Sequence, residues 1–155
     1  MNNIGMSVQR VKWLLAGLCL PAVLAAGAVA LSSEQGPEPV IKGYDTVAYF
    51  KLGKAVKGGE SLAFRWHDMT WHFSSREHRD LFAANPQQYA PQYDGYCAWA
   101  MTESRLAITD PEVWKIVEGK LYLNCSQAAY EKWSRDIPGH IQKADAIWKE
   151  KFEKK

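Results

Sequence analysis

Two stretches of the chain carry the bulky apolar residues of β-strands, and the first of them alternates between apolar and polar side chains, which is the pattern of half-buried strands. In "LAFRWHDMTWHF", Phe64 and Trp66 point to one face. After a short polar gap, Trp71 and Phe73 again share a face, and His72 opposes them. A second stretch, "WKIVEGKLYLN", carries bulky residues on both sides of a Glu-Gly turn. The alternation of the first stretch and the Glu118-Gly119 turn of the second predict two β-hairpins, the first with one buried aromatic face.

Helical spacing and capping residues surround these hairpins. Ser74 and Glu77 form an S-x-x-E capping box, which predicts a helix with Ser74 as its N-cap. Asp94 is a favourable N-cap for a helix in "DGYCAWAMTESR". Two further helices are predicted in "SQAAYEKWSRD" and from Pro138 onward. Two hairpins and several short helices predict a small single α+β domain, and no internal repeat is visible in the sequence.

The first thirty residues have the pattern of a secretory signal peptide. Arg10 and Lys12 are followed by the uncharged run "WLLAGLCLPAVLAAGAVA", which ends in an A-x-A cleavage pattern. We therefore predict a signal peptide over residues 1–30, a polar linker over 31–39 and a globular domain over 40–150. An uncleaved membrane anchor is the alternative, because the apolar run approaches the roughly 20 residues that a span needs.

The net charge of the exported chain argues against one class of function. Removing Arg10 and Lys12 from the 19 basic residues leaves 17, which equals the 17 acidic residues. A nucleic-acid-binding protein would present a basic face, so we expect no nucleic-acid partner. Export would bring the domain to the periplasm or outside the cell, where cysteines can be oxidised.

The candidate chemistry centres on sulfur. Cys97 and Met101 lie four residues apart in "QYDGYCAWAM", so they share a face whether the segment is a helix or a strand. If Asp94 caps a helix, Cys97 lies in its first turn, where the helix dipole lowers the pKa of a thiol. A thiolate and a thioether are soft ligands that suit Cu(I). Core packing is the alternative, because cysteine and methionine commonly fill cores beside aromatic rings.

Histidines and a second cysteine are further candidates. His67, His72 and His78 lie within twelve residues, but no spacing typical of metal ligands joins them, so packing or solvent exposure is the simpler interpretation of each. Cys97 and Cys125 are the two cysteines that remain after export. A disulfide between them is a second option, and it would stabilise the fold by about 3 kcal/mol in the loop-entropy model.

The sequence gives little support to catalysis. It contains no G-x-S-x-G, no H-E-x-x-H and no glycine-rich phosphate loop. Asp45, next to Tyr44, is a candidate acid or base, but an aspartate in such a position more often caps a turn. Binding is therefore favoured over enzyme activity.

Three stretches of the chain resemble the YHS domain family, in its small exported subgroup. They are "GYDTVAYF", "WHFSSREHRDLFAANPQQYAPQYDGYCAWA" and "DPEVWKIVEGKLYLN…DIPGHIQKADAIW", which extend from about Ile41 to Trp148. The family's naming stretch corresponds to "WHFS", which begins at Trp71 and has Trp in place of the usual Tyr. YHS domains occur in copper-transporting ATPases and in some phenol hydroxylases, so the resemblance implies a role in metal binding.

The function favoured by these observations is binding of a soft transition metal, copper first, with Cys97, Met101 and His72 as ligands. His72 is chosen among the histidines because it lies in the family's naming stretch. One alternative is a thiol redox protein in which Cys97 reacts and Cys125 resolves the intermediate. Another is an interaction module without a cofactor. The partner would be the metal ion or a periplasmic protein, and contact with a membrane would come only through an uncleaved N-terminus.

Overall fold

Each of the two predicted hairpins forms an antiparallel strand pair in the computed structural model, which describes residues 40–153. β1 (Gly59–Trp66) pairs with β2 (Met69–Phe73), and β3 (Asp110–Val117) pairs with β4 (Lys120–Asn124). The hairpins form two separate two-stranded sheets. With the helices around them they make a small α+β domain, which confirms the predicted fold class.

Short helices occupy the intervals between and after the hairpins. The α-helices are α1 (Thr46–Lys51), α2 (Arg76–Ala84), α3 (Pro86–Tyr89), α4 (Ala98–Thr102), α5 (Gln127–Trp133) and α6 (Ile137–Lys151). Tight 3-10 turns cover Val40–Gly43, Gln92–Gly95 and Ser134–Asp136. Helices this short are held by tertiary packing more than by their own propensity.

The predicted signal peptide and linker lie outside the described residues. Within residues 40–153, no helix has the length and apolar character needed to cross a membrane.

The N-terminus of α2 lies one residue later than predicted. Ser75 is the N-cap, and its Oγ accepts the backbone N–H of His78 at 3.1 Å. The hydroxyl of Ser74 donates instead to the carboxylate of Asp45 at 2.5 Å. The predicted capping box of Ser74 and Glu77 is therefore wrong, because a carboxylate from a distant part of the chain takes the Ser74 hydroxyl.

Helix α4 also begins at a different residue. Asp94 lies in the preceding 3-10 turn with a φ of 52°, and Cys97 is the N-cap. The Sγ atom of Cys97 accepts the backbone N–H of Ala100 at 3.4 Å. The prediction that Asp94 caps this helix is wrong, because left-handed backbone at Tyr93 and Asp94 turns the chain before the helix starts.

The two halves of the domain repeat one another, which the sequence analysis missed. Each half runs from a 3-10 turn through a short helix and a hairpin to a second helix. The hairpin registers coincide at a spacing of 51 residues: Gly59 pairs with Phe73 where Asp110 pairs with Asn124, and both hairpins have a register irregularity after that pair. The side chains have diverged, whereas the backbone pairing is the same.

The turns that precede α1 and α4 have the same unusual backbone. Ile41 and Lys42 have φ values of 52° and 52°, and Tyr93 and Asp94 have values of 58° and 52°. A glycine with positive φ follows each pair. Left-handed conformations are uncommon for residues other than glycine, so two consecutive ones at equivalent places are strong support for the repeat.

The core of the first half contains the aromatic face that the alternation predicted. Trp71 and Phe73 are 1% and 0% exposed, and the ring of Phe82 lies 5.0 and 5.1 Å from theirs. Leu121 and Leu123 of β4 belong to the same buried cluster. The second hairpin therefore completes the core of the first half.

A second core lies beneath α6. Its fully buried members include Met101, Trp133 and Ala144, and the ring of Tyr122 packs 5.5 Å from that of Trp133. A small third cluster contains Cys97 with two alanines. The three clusters are built from residues 40–152, which gives this part of the chain a core of its own.

Candidate functional site

Cys97 is fully buried at the start of α4, and its sulfur is held by polar contacts. The Sγ atom accepts the backbone N–H of Cys125 at 3.1 Å in addition to that of Ala100. The thiol donates to Oδ1 of Asn124 at 3.8 Å. Cys97 thus joins the start of α4 to the end of β4.

Cys125 lies directly beside Cys97. It is half-buried, it packs against the small cluster that contains Cys97, and its backbone N–H donates to the Cys97 sulfur at 3.1 Å. Both cysteines are free thiols in this structure. The two cysteines that we considered as a disulfide or as a working pair are therefore neighbours, although 28 residues separate them in sequence.

Burial raises the pKa of the Cys97 thiol above its ordinary value of 9.0. The backbone N–H groups of Ala100 and Cys125 act in the opposite direction, and the neighbouring side chain of Cys125 raises the pKa further. The prediction of a low-pKa thiol at a helix N-terminus is therefore wrong, because desolvation of a thiolate outweighs two amide dipoles at this site.

Asn124 is a polar residue beside the thiols that the sequence analysis missed. It is fully buried, and its Oδ1 accepts the backbone N–H of Trp99 at 3.1 Å as well as the Cys97 thiol. Its Nδ2 has no hydrogen-bond partner among the described residues. A buried donor without a partner lowers the stability of the folded state by about 1–3 kcal/mol, so this amide is destabilising. Nothing in "KLYLN" distinguishes Asn124 from an ordinary strand end.

The other predicted copper ligands lie in different surroundings from Cys97. Met101 is fully buried in the cluster of Tyr122 and Trp133, whereas Cys97 belongs to the small cluster with Ala100 and Ala129. His72 lies on β2 in the first hairpin, opposite Ala63, and is partly exposed. Over residues 40–153, no three His, Cys, Asp or Glu side chains converge in the manner of a metal site.

A second polar centre lies in the first half of the domain, around Asp45. This residue is fully buried and is the N-cap of α1, where its Oδ1 accepts the backbone N–H groups of Val47 and Ala48 at 2.9 and 3.3 Å. Its Oδ2 accepts the backbone N–H of Ser74 at 2.9 Å and Nδ1–H of His78 at 2.6 Å. With the hydroxyl of Ser74, five donors satisfy this carboxylate.

Asp45 and Cys97 occupy equivalent positions in the two halves. Each is the N-cap of the short helix that follows a left-handed turn. Each also accepts the backbone N–H of the residue directly after the hairpin, which is Ser74 in the first half and Cys125 in the second. We call this shared arrangement the cap tie. Its structural role in both halves is the same, whereas the tie contains a sulfur atom only in the second half.

The remaining histidines have structural surroundings. His78, which the spacing placed on a packed face, is buried with its ring against Asp45. His67 is exposed and stacks on Trp66 with ring centroids 3.8 Å apart. His140 contacts the backbone carbonyl of Trp133 through Nδ1 at 2.8 Å.

Comparison of the chain with protein-family models, with curated proteins and with solved structures finds no match. The resemblance to YHS domain proteins therefore stays a prediction. Among the side chains described above, the thiols of Cys97 and Cys125 offer the most reactive chemistry.

Proposed function

We propose that this protein is an exported thiol protein in which Cys97 and Cys125 interconvert between a dithiol and a disulfide. The observation that carries the proposal is the position of two free thiols beside one another, one buried and one half-buried. Cys125 packs on the cluster of Cys97 and donates its backbone N–H to the Cys97 sulfur at 3.1 Å. A disulfide needs Cα atoms about 4.4–6.8 Å apart, and the 3.1 Å contact of the Cys125 backbone with the Cys97 sulfur keeps the two residues close.

The difference in burial between the two thiols supports an order of reaction. The thiolate of Cys125, which reaches the surface, attacks one sulfur of a partner disulfide, and a partner thiolate leaves. Cys97 then loses its proton and attacks the Cys125 sulfur, which releases the second partner thiolate. The protein loses two electrons and two protons, and the partner disulfide gains them. This order is the reverse of the one that the sequence suggested, because Cys97 is the buried thiol.

Binding of Cu(I) is the second candidate, and it uses the same two sulfurs. Two adjacent thiolates are soft ligands that suit Cu(I). Met101 and His72, which the sequence also suggested as ligands, belong to other surroundings and are not needed for a two-sulfur site. When bound, the metal would replace the protons of both thiols, so its affinity should rise with pH.

Thiol trapping tests the redox proposal. The chain from Leu31, which lacks Cys19, is equilibrated in graded mixtures of reduced and oxidised glutathione, quenched in acid and alkylated. We expect one two-electron transition in which both cysteines are lost to alkylation together, and we expect it to be absent from Cys97→Ser and Cys125→Ser. A wild-type protein with two alkylatable thiols at every glutathione ratio would rule the redox function out.

Titration of Cu(I) in competition with a chromogenic chelator tests the second candidate on the same variants. Copper binding through the pair predicts one equivalent per wild-type chain and a weaker complex in both serine variants, with His72→Ala as an unchanged control. Copper affinity that is equal in all four proteins would exclude the pair as the ligands. If both titrations fail, the cofactor-free interaction module is the remaining function.

A further inference from the structure

The loop between α4 and β3 holds two large aliphatic side chains in solvent. Leu106 is 47% exposed and Ile108 is 68% exposed. Leu52, at 52%, is the other large hydrophobic residue exposed to this degree within residues 40–153. Two such residues in one loop make an apolar surface that has an energetic cost in water.

Ala107 and Thr109, which alternate with Leu106 and Ile108 along this loop, are hydrogen-bonded to the rest of the domain. The side chains of Leu106 and Ile108 face solvent. The carbonyl of Ala107 accepts the backbone N–H of Cys97 at 3.0 Å. The hydroxyl of Thr109, which is buried, donates to the carbonyl of Gly95 at 2.9 Å. Ile108 therefore lies between these two anchored residues, and Leu106 lies directly before the first of them. Their exposure is a property of an ordered loop.

The two side chains border a cavity of about 470 Å³. Its apolar walls continue through three half-buried residues, which are Val40 in the first 3-10 turn, Trp148 in α6 and Phe152 directly after α6. The apolar surface is therefore larger than the two exposed residues alone.

Basic side chains stand around this surface. Arg105 precedes Leu106 in the loop and is exposed. Lys151, near the end of α6, donates from Nζ to Oγ of Ser104 at 3.3 Å, which brings its ammonium group to the base of the loop. Lys42 and Asp94 are the charged residues that line the cavity itself. The neighbouring acid Glu103 is paired with Lys143 at 3.7 Å.

We propose that this surface, formed by Leu106, Ile108 and the surrounding bases, docks on a lipid bilayer with anionic headgroups. Aliphatic side chains enter the headgroup region of a bilayer, and each nearby Lys or Arg is attracted to anionic lipid. The arrangement of apolar tips and flanking cations is complementary to that interface. The proposal is independent of the thiol pair.

The course of the chain favours a membrane over a protein partner. Val40, which lines the same cavity, is the first described residue, and the uncharged run of residues 13–31 ends nine positions before it. Nine extended residues reach at most about 30 Å. An uncleaved apolar run, the alternative that the sequence leaves open, would keep Val40 within about 30 Å of the bilayer.

Vesicle flotation with the chain from Leu31, whose core is complete, tests the surface without the apolar run. Vesicles of phosphatidylcholine alone are compared with vesicles that also contain phosphatidylglycerol. We expect binding to the anionic vesicles, an at least ten-fold loss in the double variant Leu106→Glu, Ile108→Glu, and a several-fold loss in Lys151→Glu. Leu52→Glu, an equally exposed leucine elsewhere on the domain, is the matched control and should bind like wild type.

Three results would overturn the proposal. They are no binding by the wild-type chain, equal binding by the wild type and the double variant, and a concentration-dependent dimer that the double variant abolishes. The third would assign the surface to a second copy of the chain. Circular dichroism checks that each variant is folded, and Ile108→Ser provides a milder substitution if the double variant is not.

Discussion

Replacement of Asp45 by alanine should be among the most destabilising substitutions of a polar residue in this domain. The carboxylate caps α1, and loss of an N-cap costs about 1 kcal/mol. It also accepts the buried Nδ1–H of His78, and a buried donor left without a partner costs about 1–3 kcal/mol. Loss of the two Ser74 bonds adds a smaller amount, because Ser74 is exposed to water. We expect a total loss of about 3–5 kcal/mol, the usual range for a broken buried pair.

Asp136→Ala is the matched control for this prediction. Asp136 is also an N-cap, but it is exposed and accepts one backbone N–H, that of Gly139 at 3.1 Å. Its removal should cost about 1 kcal/mol. Urea unfolding monitored by circular dichroism measures both variants. If the two losses agree within about 0.5 kcal/mol, the precision to which independent effects are usually resolved, the cap tie around Asp45 is only an ordinary helix cap.

Three further predictions concern packing and pH. Trp71→Ala should cost about 3–5 kcal/mol in urea unfolding, because the side chain is 1% exposed; a loss under about 1 kcal/mol would contradict the strand register. Gly58→Ala should destabilise by about 2 kcal/mol or more, since its Cβ would lie 2.5 Å from the backbone of β2, whereas Gly59→Ala has space and should cost under about 1 kcal/mol. Burial raises the pKa of Cys97, and it raises the pKa of Tyr122 to about 12. At a pH between the unfolded and folded pKa values, the folded state keeps a proton that the unfolded chain has lost. Stability should be full below about pH 9 and should fall as the pH rises toward 12, and a flat thermal midpoint over this range would refute the assignment.

The architecture follows from local pattern to a large extent. A period of two places Trp71 and Phe73 on one face and predicts the first hairpin, because a strand with one buried face has a single favourable register. The second hairpin follows from its Glu118-Gly119 turn, since consecutive residues of β4, from Leu121 to Asn124, are all buried. The helix starts were less predictable. The hydroxyl of Ser74 and the backbone at Asp94 are set by contacts and turns that involve the rest of the fold, so the nearest capping residue in sequence was not the one used.

The candidate site was only partly predictable. Cys97 was identified as the central thiol, but its contact with Cys125 depends on the hairpin between them, whose register brings the end of β4 to the start of α4. The pKa of Cys97 was predicted in the wrong direction because a helix position is visible in sequence, whereas desolvation is not. The repeat is not visible in the sequence because equivalent residues differ in chemical type. Asp45 and Cys97, for example, share a hydrogen-bonding role, but one is a carboxylate and the other a thiol.

The cap tie has a consequence for how this domain can evolve. Cys125 contributes its backbone N–H to the tie, and every residue except proline has that group. Mutation at position 125 can therefore add or remove a thiol beside Cys97 while the hydrogen bond that positions the chain is preserved. In the first half, Ser74 has the same freedom only in part, because its hydroxyl is also bound to Asp45. A lineage could gain or lose sulfur chemistry at this site by single substitutions, with the scaffold under separate selection.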